Sequence, residues 1–245
     1  MKADPTDTPK VVTVAEGLWV RVAVDNIAWI DLGEFAIVID ALEQAHLADE
    51  VFAAIAEALG DKPIRYLLNT HIHYDHIALN SAFKKRFGTE IVDSATGRLG
   101  PDGRWFAGSL RRVQMLHTPG CHTAEDCIVW VPQDKALFVG DIFGWGLIPL
   151  SGPLTGRSLK LLEDTYTRLI DFDAATVVPG HGPLCTTAEL KRQLSYHHWL
   201  IDQARQAGDA EIAPPPDMHD WWRFLDWKHQ DSAAKVTAAV RSGRL

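Results

Sequence analysis

The chain has 245 residues, of which 47% are hydrophobic, and a formal net charge of −8. This length and apolar content support a substantial core. The acidic balance and the lack of a long basic run argue against a nucleic-acid partner, because phosphate neutralisation needs clustered Lys and Arg.

No run of about 18 uninterrupted apolar residues is present, so no membrane partner is expected. The cysteines Cys121, Cys127 and Cys185 are too few and too unevenly placed for a disulfide framework, which favours a reducing, cytoplasmic location. Residues 1–10 lack the apolar core of a signal peptide, although an export signal removed beforehand is compatible with the sequence.

Four apolar runs separated by turn residues predict consecutive antiparallel strands at residues 11–14, 18–24, 27–32 and 35–39. Apolar residues at every fourth position then predict a helix over residues 46–59, which Gly60 ends. A further apolar run, residues 64–68, predicts a buried strand.

The second half repeats this alternation. The pattern predicts a helix over residues 81–87, a strand at 91–93, a loop or hairpin at 96–108, and strands near 113, 128, 136 and 176. Ser158 is a candidate cap for one helix, and the Thr186–Glu189 pair predicts a capping box for a long helix to about Ala207. The interleaved helices and strands predict one layered α/β domain over residues 1–213. A Trp-rich extension, residues 214–245, is predicted to form two helices packed on that domain.

The segment Thr70-His71-Ile72-His73-Tyr74-Asp75-His76 directly follows the strand at 64–68. Alternate residues of an extended chain point the same way, so His71 and His73 can converge on one ion. Asp75 and His76 can reach a second ion as the chain turns off the strand. Imidazole and carboxylate groups are ligands for zinc and similar first-row metals.

Three later residues occupy similar positions beside predicted strand ends and next to Gly or Pro: His122, Asp141 and His181. Separate strand-end loops can therefore deliver ligands to one edge of a layered sheet protein. The alternative for the first cluster is a polar loop that happens to be rich in histidine.

The ordered set His71-x-His73-x-Asp75-His76, His122, Asp141 and His181 resembles the metallo-β-lactamase-fold hydrolases over nearly the whole chain. The resemblance implies a four-layer αββα sandwich with two divalent metal ions, usually zinc, with iron or manganese as alternatives. It assigns His71, His73 and His122 to the first metal, Asp75, His76 and His181 to the second, and Asp141 to a bridge between them. Asp75 would also act in catalysis by orienting a metal-bridging hydroxide or passing a proton to the leaving group.

The resemblance implies a hydrolase for a small ester, lactone, thioester or related substrate, with a homo-oligomer left open. Asp141 stands where the zinc β-lactamases carry Cys or Ser, which argues against a dedicated β-lactamase. Alternatives are a β-lactamase-like amide hydrolase, a mononuclear iron enzyme similar to the sulfur dioxygenases, which would use His71, His122 and Asp141, and a non-catalytic metal-binding module.

Five further residues are candidates for supporting roles. In the family an aspartate at the position of Asp40 supports the histidine loop, whereas an ordinary turn is the alternative. His117 is interpreted as a strand-end or supporting histidine, and Tyr74 as an oxyanion donor or a packing residue. Phe143 and Trp145 belong to an apolar, glycine-punctuated loop that forms either a substrate wall or core packing.

Overall fold

A computed structural model describes residues 4 and 6 and residues 8–96, 99–207 and 210–245. The described residues form two β-sheets, of six and five strands. None of the helices among them is long and apolar enough to cross a bilayer. Two residues of the predicted loop at 96–108, residues 97 and 98, lie outside the described part.

The first sheet has the strand order β1-β2-β3-β4-β5-β6. Its strands are β1 Lys10–Ala15, β2 Leu18–Val22, β3 Ile27–Asp31, β4 Ala36–Ile39, β5 Ile64–Leu68 and β6 Glu90–Val92. The first four pair antiparallel, as the closely spaced turn residues predicted. The pairs β4–β5 and β5–β6 are parallel, which requires a crossover connection.

The second sheet repeats this plan. Its strands are β7 Arg104–Ala107, β8 Arg112–His117, β9 Cys127–Val131, β10 Ala136–Gly140 and β11 Thr176–Pro179. Strands β7 to β10 form an antiparallel meander, and β11 adds to β10 in parallel. Each half thus ends with parallel strands whose carboxyl ends lie at one edge.

Helices make the parallel crossovers and cover the outer faces. They are α1 Ala48–Leu59, the one-turn α2 Tyr74–Ile77, α3 Asn80–Phe87, α4 Gly156–Asp171, α5 Thr187–Ala207 and α6 His229–Arg241. Helix α1 lies between β4 and β5 in the chain, α2 and α3 between β5 and β6, and α4 between β10 and β11.

Alternation within the strands separates the layers, because successive side chains point to opposite faces. In β4, Ile37 and Ile39 pack between the sheets, whereas Val38 packs among residues of α1 and α3. In β10, Phe138 packs between the sheets, whereas Leu137 and Val139 pack among residues of α4 and α5. Both sheets are therefore buried on both faces, and the predicted four-layer αββα sandwich is confirmed.

The structure refines several local predictions. The loop or hairpin predicted at 96–108 contains strand β7, which pairs antiparallel with β8. Helix α4 is capped by Thr155 rather than Ser158: the Thr155 side chain accepts from the Ser158 N–H, and the Ser158 hydroxyl accepts from the Thr155 N–H. The capping box at Thr186 and Glu189 is confirmed, because Glu189 accepts from the Thr186 N–H at 2.9 Å.

The Trp-rich extension also differs from the prediction of two helices. A 3₁₀ turn, Pro216–Met218, precedes a π-helical turn, Phe224–Lys228, which runs directly into α6. Arg223, directly before the π-turn, has a positive φ of 50°, which the apolar pattern alone does not signal. The domain boundary after residue 213 stays a prediction.

Candidate metal centre

The first group of candidate ligands brings together three histidines from two loops. His71 and His73 follow β5, and His122 lies in the connection from β8 to β9. The Nδ1 atom of His73 lies 3.1 Å from Nε2 of His71 and 2.9 Å from Nε2 of His122. One hydrogen bond pairs only two of these three nitrogens, whereas one cation would satisfy all of them.

The second group comes from α2 and the loop after β11. Asp75 and His76 lie on the single turn of α2, which redirects the chain off β5. The Oδ2 atom of Asp75 lies 3.2 Å from Nε2 of His181 and 4.0 Å from Nε2 of His76. Ligand atoms of these residues and of Asp141 lie within 4.8 Å of one another, as do those of the three histidines in the first group.

Asp141 follows β10 and lies between the two groups. Its Oδ2 atom is 3.6 Å from Nε2 of His122 and 4.0 Å from that of His71. The same carboxylate faces the second group, with Oδ1 3.3 Å from Nε2 of His76 and Oδ2 3.4 Å from Nε2 of His181. Oδ2 thus faces both groups and Oδ1 faces the second, so the carboxylate has the position of a bridging ligand.

Two buried atoms test whether this donor set fits a metal. Nε2 of His76 and Oδ1 of Asp141 are buried, lie 3.3 Å apart and lack hydrogen-bond geometry with any described group. Buried polar atoms rarely stay unpaired, because each such atom costs about 1–3 kcal/mol. Both atoms are metal-ligand types, so the donor set fits a pair of divalent cations.

The side chains of the centre strongly perturb one another. Burial lowers the pKa of His181, but the Asp141 carboxylate outweighs burial and raises it to about 10. Burial raises the pKa of Asp141, yet the neighbouring His76 and His181 hold it well below its usual range. Burial and the charge of His76 lower the pKa of His71 to about 2, so this imidazole is neutral and able to ligate.

Hydrogen bonds from outside the two groups orient three of the rings. Asp40, buried at the end of β4, lies 3.1 Å from Nδ1 of His76 and accepts from the Thr70 N–H at 2.8 Å. Nδ1 of His122 bonds the Pro149 carbonyl at 2.7 Å, and Nδ1 of His181 bonds the Val24 carbonyl at 2.9 Å. Each bond leaves Nε2 facing the site, as metal-ligating histidines require.

Two supporting residues were missed in the sequence. Asp126 is buried and accepts from the N–H groups of His122 and Thr123, at 2.7 and 2.8 Å. Asn26 donates to the carbonyls of Pro179 and Gly182, both at 2.9 Å, which fixes the turn that carries His181. For Asp126 the sequence did contain a signal: an aspartate three residues after Thr123 and directly before a strand can accept hydrogen bonds from the preceding loop. For Asn26 only the fold reveals the role.

Close backbone approach also shapes the centre. A Cβ atom at Gly180 would lie 2.2 Å from Oδ1 of Asp141 and 2.7 Å from Cε1 of His76. Glycine is therefore required where the β11 loop passes these two side chains. Cys121 lies between Gly120 and the ligand His122. Cys121 is fully buried, and burial raises the pKa of its thiol to about 11, so the thiol stays protonated at neutral pH.

Two of the predicted supporting residues lie away from the centre. His117 ends β8, as the strand-end interpretation predicted, and its exposed side chain bonds the Ala124 carbonyl at 3.0 Å rather than a ligand side chain. Tyr74 lies on α2 and is 69% exposed, which places it outside the cavity beside the ligands. The spacing along the chain suggested proximity, but α2 turns this side chain outward.

A cavity of about 250 Å³ opens on His122, Asp141 and His181. One wall is the loop at 143–150, including Phe143 and Trp145, which are both buried. A second part of the lining is a segment that we call the roof, residues 221–228, which contributes the side chains Trp222, Arg223, Trp227 and Lys228. Trp145 and Arg223 have positive φ angles, 56° and 50°, and such conformations cluster at functional sites.

The sequence profile described as the metallo-beta-lactamase superfamily matches residues 21–106 and 101–181. Hydroxyacylglutathione hydrolase of Brucella anthropi is 34% identical over 116 residues, 42% of this chain and 44% of that protein. The Rhodospirillum rubrum enzyme of the same name is 34% identical over 141 residues, 54% of this chain and 52% of that protein. The chain thus spans about half the length of these two relatives. With the Brucella ovis enzyme, identity is 31% over 194 residues, 70% of this chain and 72% of that protein.

Solved structures share the fold. A metallo-beta-lactamase from Pontibacter korlensis superposes with a TM-score of 0.63 at 22% identity, covering 77% of this chain and 98% of that one. Rubredoxin oxygen:oxidoreductase from Desulfovibrio gigas gives 0.60 at 15% identity, covering 79% and 62%. Since the profile matches more than half of the sequence, the chain belongs to the metallo-beta-lactamase superfamily.

Proposed function

We propose that this protein is a metal-dependent hydrolase that cleaves a thioester or related ester of a small molecule. The observation that carries the proposal is Asp141, whose carboxylate lies between a group of three histidines and a group of Asp75, His76 and His181. The thioester class is supported by relatives named hydroxyacylglutathione hydrolase. A hydrolase of this kind acts on a small-molecule substrate.

His71, His73 and His122 would hold one divalent ion, Asp75, His76 and His181 the other, and Asp141 both. Such ions, when bound, lower the pKa of a water molecule and polarise the carbonyl of the substrate. Asp75 is 20% exposed beside the second group, and its carboxylate would orient the attacking water or pass a proton to the leaving thiol. The loop at 143–150 and the roof would exclude bulk water and position the acyl group.

The proposal is tested with a panel of thioesters, lactones, phosphodiesters and a chromogenic β-lactam, together with elemental analysis of protein never exposed to chelators. We expect about two zinc-type ions per chain and the fastest turnover on thioesters or lactones. We also expect Asp141→Ala to abolish turnover while circular dichroism stays unchanged. One iron per chain with oxygen uptake on a persulfide would instead support the sulfur dioxygenase alternative, and full activity of Asp141→Ala would contradict the bridge.

A further inference from the structure

Lys228 is a buried cation in the wall of the cavity that opens on the metal centre. It ends the π-turn, is only 4% exposed, and lines the same cavity as His122, Asp141 and His181. No Asp or Glu oxygen lies within 4.0 Å of its ammonium group in the described part of the chain. Burying an ammonium group without a counter-charge is costly, so this placement calls for an explanation.

The partners that Lys228 does have are weak. Its Nζ atom donates to the Trp222 carbonyl at 3.3 Å and lies 4.0 Å from the centre of the Trp222 ring. Both contacts hold the ammonium group against the roof, but neither neutralises its charge. Burial lowers the pKa of Lys228 to about 7, so at neutral pH the group is about half protonated when the cavity is empty, and a bound anion would favour the charged form.

The second cation of the cavity is different. Arg223 forms an ion pair with Asp4, whose Oδ2 accepts from its Nε at 2.7 Å. Among the described residues that line the cavity, the one carboxylate is Asp141, which already faces four histidines. Lys228 is thus the cavity cation whose charge is left for a ligand.

The rest of the wall defines the shape of that ligand. Aromatic and aliphatic side chains dominate it: Val24, Phe143, Trp145, Leu147, Pro149, Trp222 and Trp227. A volume of about 250 Å³ lies just below the usual range for ligand pockets, about 300 to 1,000 Å³, so the ligand must be small. A long, hydrophilic peptide such as glutathione would find few hydrogen-bonding groups on these walls.

We propose that Lys228 binds an anionic group of the substrate, and that this substrate is compact, largely apolar and singly negatively charged. The inference rests on the proposed hydrolase function and names the substrate class for the same site. Lys228 acts on binding and orientation, with Trp222 and Trp227 packing against the apolar part. It touches the substrate away from the bond that is cleaved.

A binding experiment tests this without turnover. Benzenesulfonate, a weak metal ligand, and the neutral methyl phenyl sulfone are titrated calorimetrically into the metal-loaded protein. We expect the sulfonate to bind at least about tenfold more tightly, since hydrogen bonds to charged groups contribute roughly 1.5–3 kcal/mol. Equal affinities in the unmodified protein would overturn the proposal, whatever the behaviour of any variant.

Variants then test whether Lys228 causes the tighter binding of the sulfonate over the sulfone. Lys228→Met keeps the length of the apolar stem, and we expect it to lose the preference, whereas Lys228→Arg retains most of it. Lys160→Met removes the same charge from an exposed position on α4 and serves as the matched control, with the preference unchanged. A sulfonate preference that persists in folded Lys228→Met, or in Lys228→Gln if the Met variant does not fold, would overturn the assignment.

Kinetics separate this inference from the proposed function. Phenylacetyl thioesters of 3-mercaptopropionate, which is anionic, and of N-acetylcysteamine, which is neutral, share one acyl group. We expect the anionic thioester to have the lower KM, and Lys228→Met to raise that KM at least about tenfold while the neutral thioester changes little. If neither thioester is hydrolysed, the proposed function fails. If both are hydrolysed with the same response to Lys228→Met, the inference alone fails.

Discussion

Single residues decide how the metal centre is oriented. Asp40 has a positive φ of 58°, a conformation that Asp and Asn tolerate better than most residues. In this conformation its carboxylate reaches both the Thr70 N–H and Nδ1 of His76. Backbone and ligand are therefore positioned by the same side chain, and Nε2 of His76 is left to face Asp141.

Asp40→Asn tests this positioning role. The amide keeps the conformational tolerance and the acceptor for Thr70 but removes the negative charge beside His76. We expect zinc affinity to fall about 10- to 100-fold, as for other residues that orient metal-ligating histidines. Competition with a fluorescent chelator measures the change. Asp49→Asn, on the exposed first turn of α1, is the control, and unaltered affinity in Asp40→Asn would refute the role.

At the scale of elements, the roof is held against the loop that carries His181. Gly182 has a φ of 84°, and a Cβ atom there would lie 2.5 Å from Cε3 of Trp222. The indole of Trp222 is further fixed by donation from Nε1 to Asp4 at 2.9 Å. The C-terminal extension and the turn after β11 are thus packed too closely for any side chain between them.

Gly182→Ala and Gly88→Ala form a matched pair. Both positions have positive φ, but a Cβ atom at Gly88 would meet nothing within 4 Å. We expect Gly88→Ala to lose about 1–2 kcal/mol from backbone strain alone, and Gly182→Ala to lose about 1–3 kcal/mol more from overpacking. Urea unfolding measures both. Equal losses of unfolding free energy in the two variants would contradict the overpacking, because Trp222 would then move aside without destabilising the protein.

Helix packing contains one group that makes stability depend on pH. His197 of α5 is buried with neither ring nitrogen hydrogen-bonded to a described group, and burial lowers its pKa to about 3 from 6.5. The unfolded chain therefore binds a proton that the folded protein does not bind between pH 6.5 and 3. The contribution of His197 to stability is complete above pH 6.5 and is lost as the pH decreases toward 3, by up to about 1.4 kcal/mol per pH unit.

His197→Phe removes this proton linkage while keeping a ring in the core. We expect the variant to be at least as stable as the unmodified protein at pH 7 and to gain a growing advantage as the pH falls to 5. Urea unfolding at several pH values gives the difference, in which contributions from the other histidines cancel. The exposed neighbour His198→Gln should show no such growth. A constant difference across this range would contradict the assignment.

At the scale of the molecule, the candidate ligands connect the two halves of the sandwich. His71, His73, Asp75 and His76 follow the first sheet, whereas His122, Asp141 and His181 belong to loops of the second. Bound ions would therefore cross-link both sheets at one edge. In their absence the centre gathers histidines and carboxylates that desolvate one another, so metal binding and folding are coupled.

Chelation tests this coupling. Binding at a free metal concentration of 1,000 times Kd stabilises a protein by about 4 kcal/mol. For a chain of this size we expect the chelator to lower Tm by roughly 10 °C and added zinc to restore it. The His122→Ala variant should respond less, because its first group is incomplete. An unchanged Tm after verified metal removal would argue against a cross-link.

The sequence determined the elements and the candidate ligands, because these depend on local rules. Apolar runs bounded by turn residues define strands β2 to β5, the capping box opens α5, and the spacing of His71, His73, Asp75 and His76 marks a donor cluster. The fold class followed from the order of these elements. The bounds of strand β7 and the presence of the π-turn were not predicted, because the strand is short and the turn depends on what packs against it.

Only the tertiary structure decided what surrounds the ligands. Asp126 and Asn26 act through hydrogen bonds to backbone groups, and those of Asn26 reach carbonyls more than 150 positions away in the chain. Tyr74 and His117 were near the ligands in sequence but point elsewhere, because a helical turn and a strand end set their directions. Lys228, some 50 residues beyond His181, lines the cavity only because the tertiary fold places the roof against it. Local propensity determines elements, whereas a binding wall arises where elements distant in sequence meet.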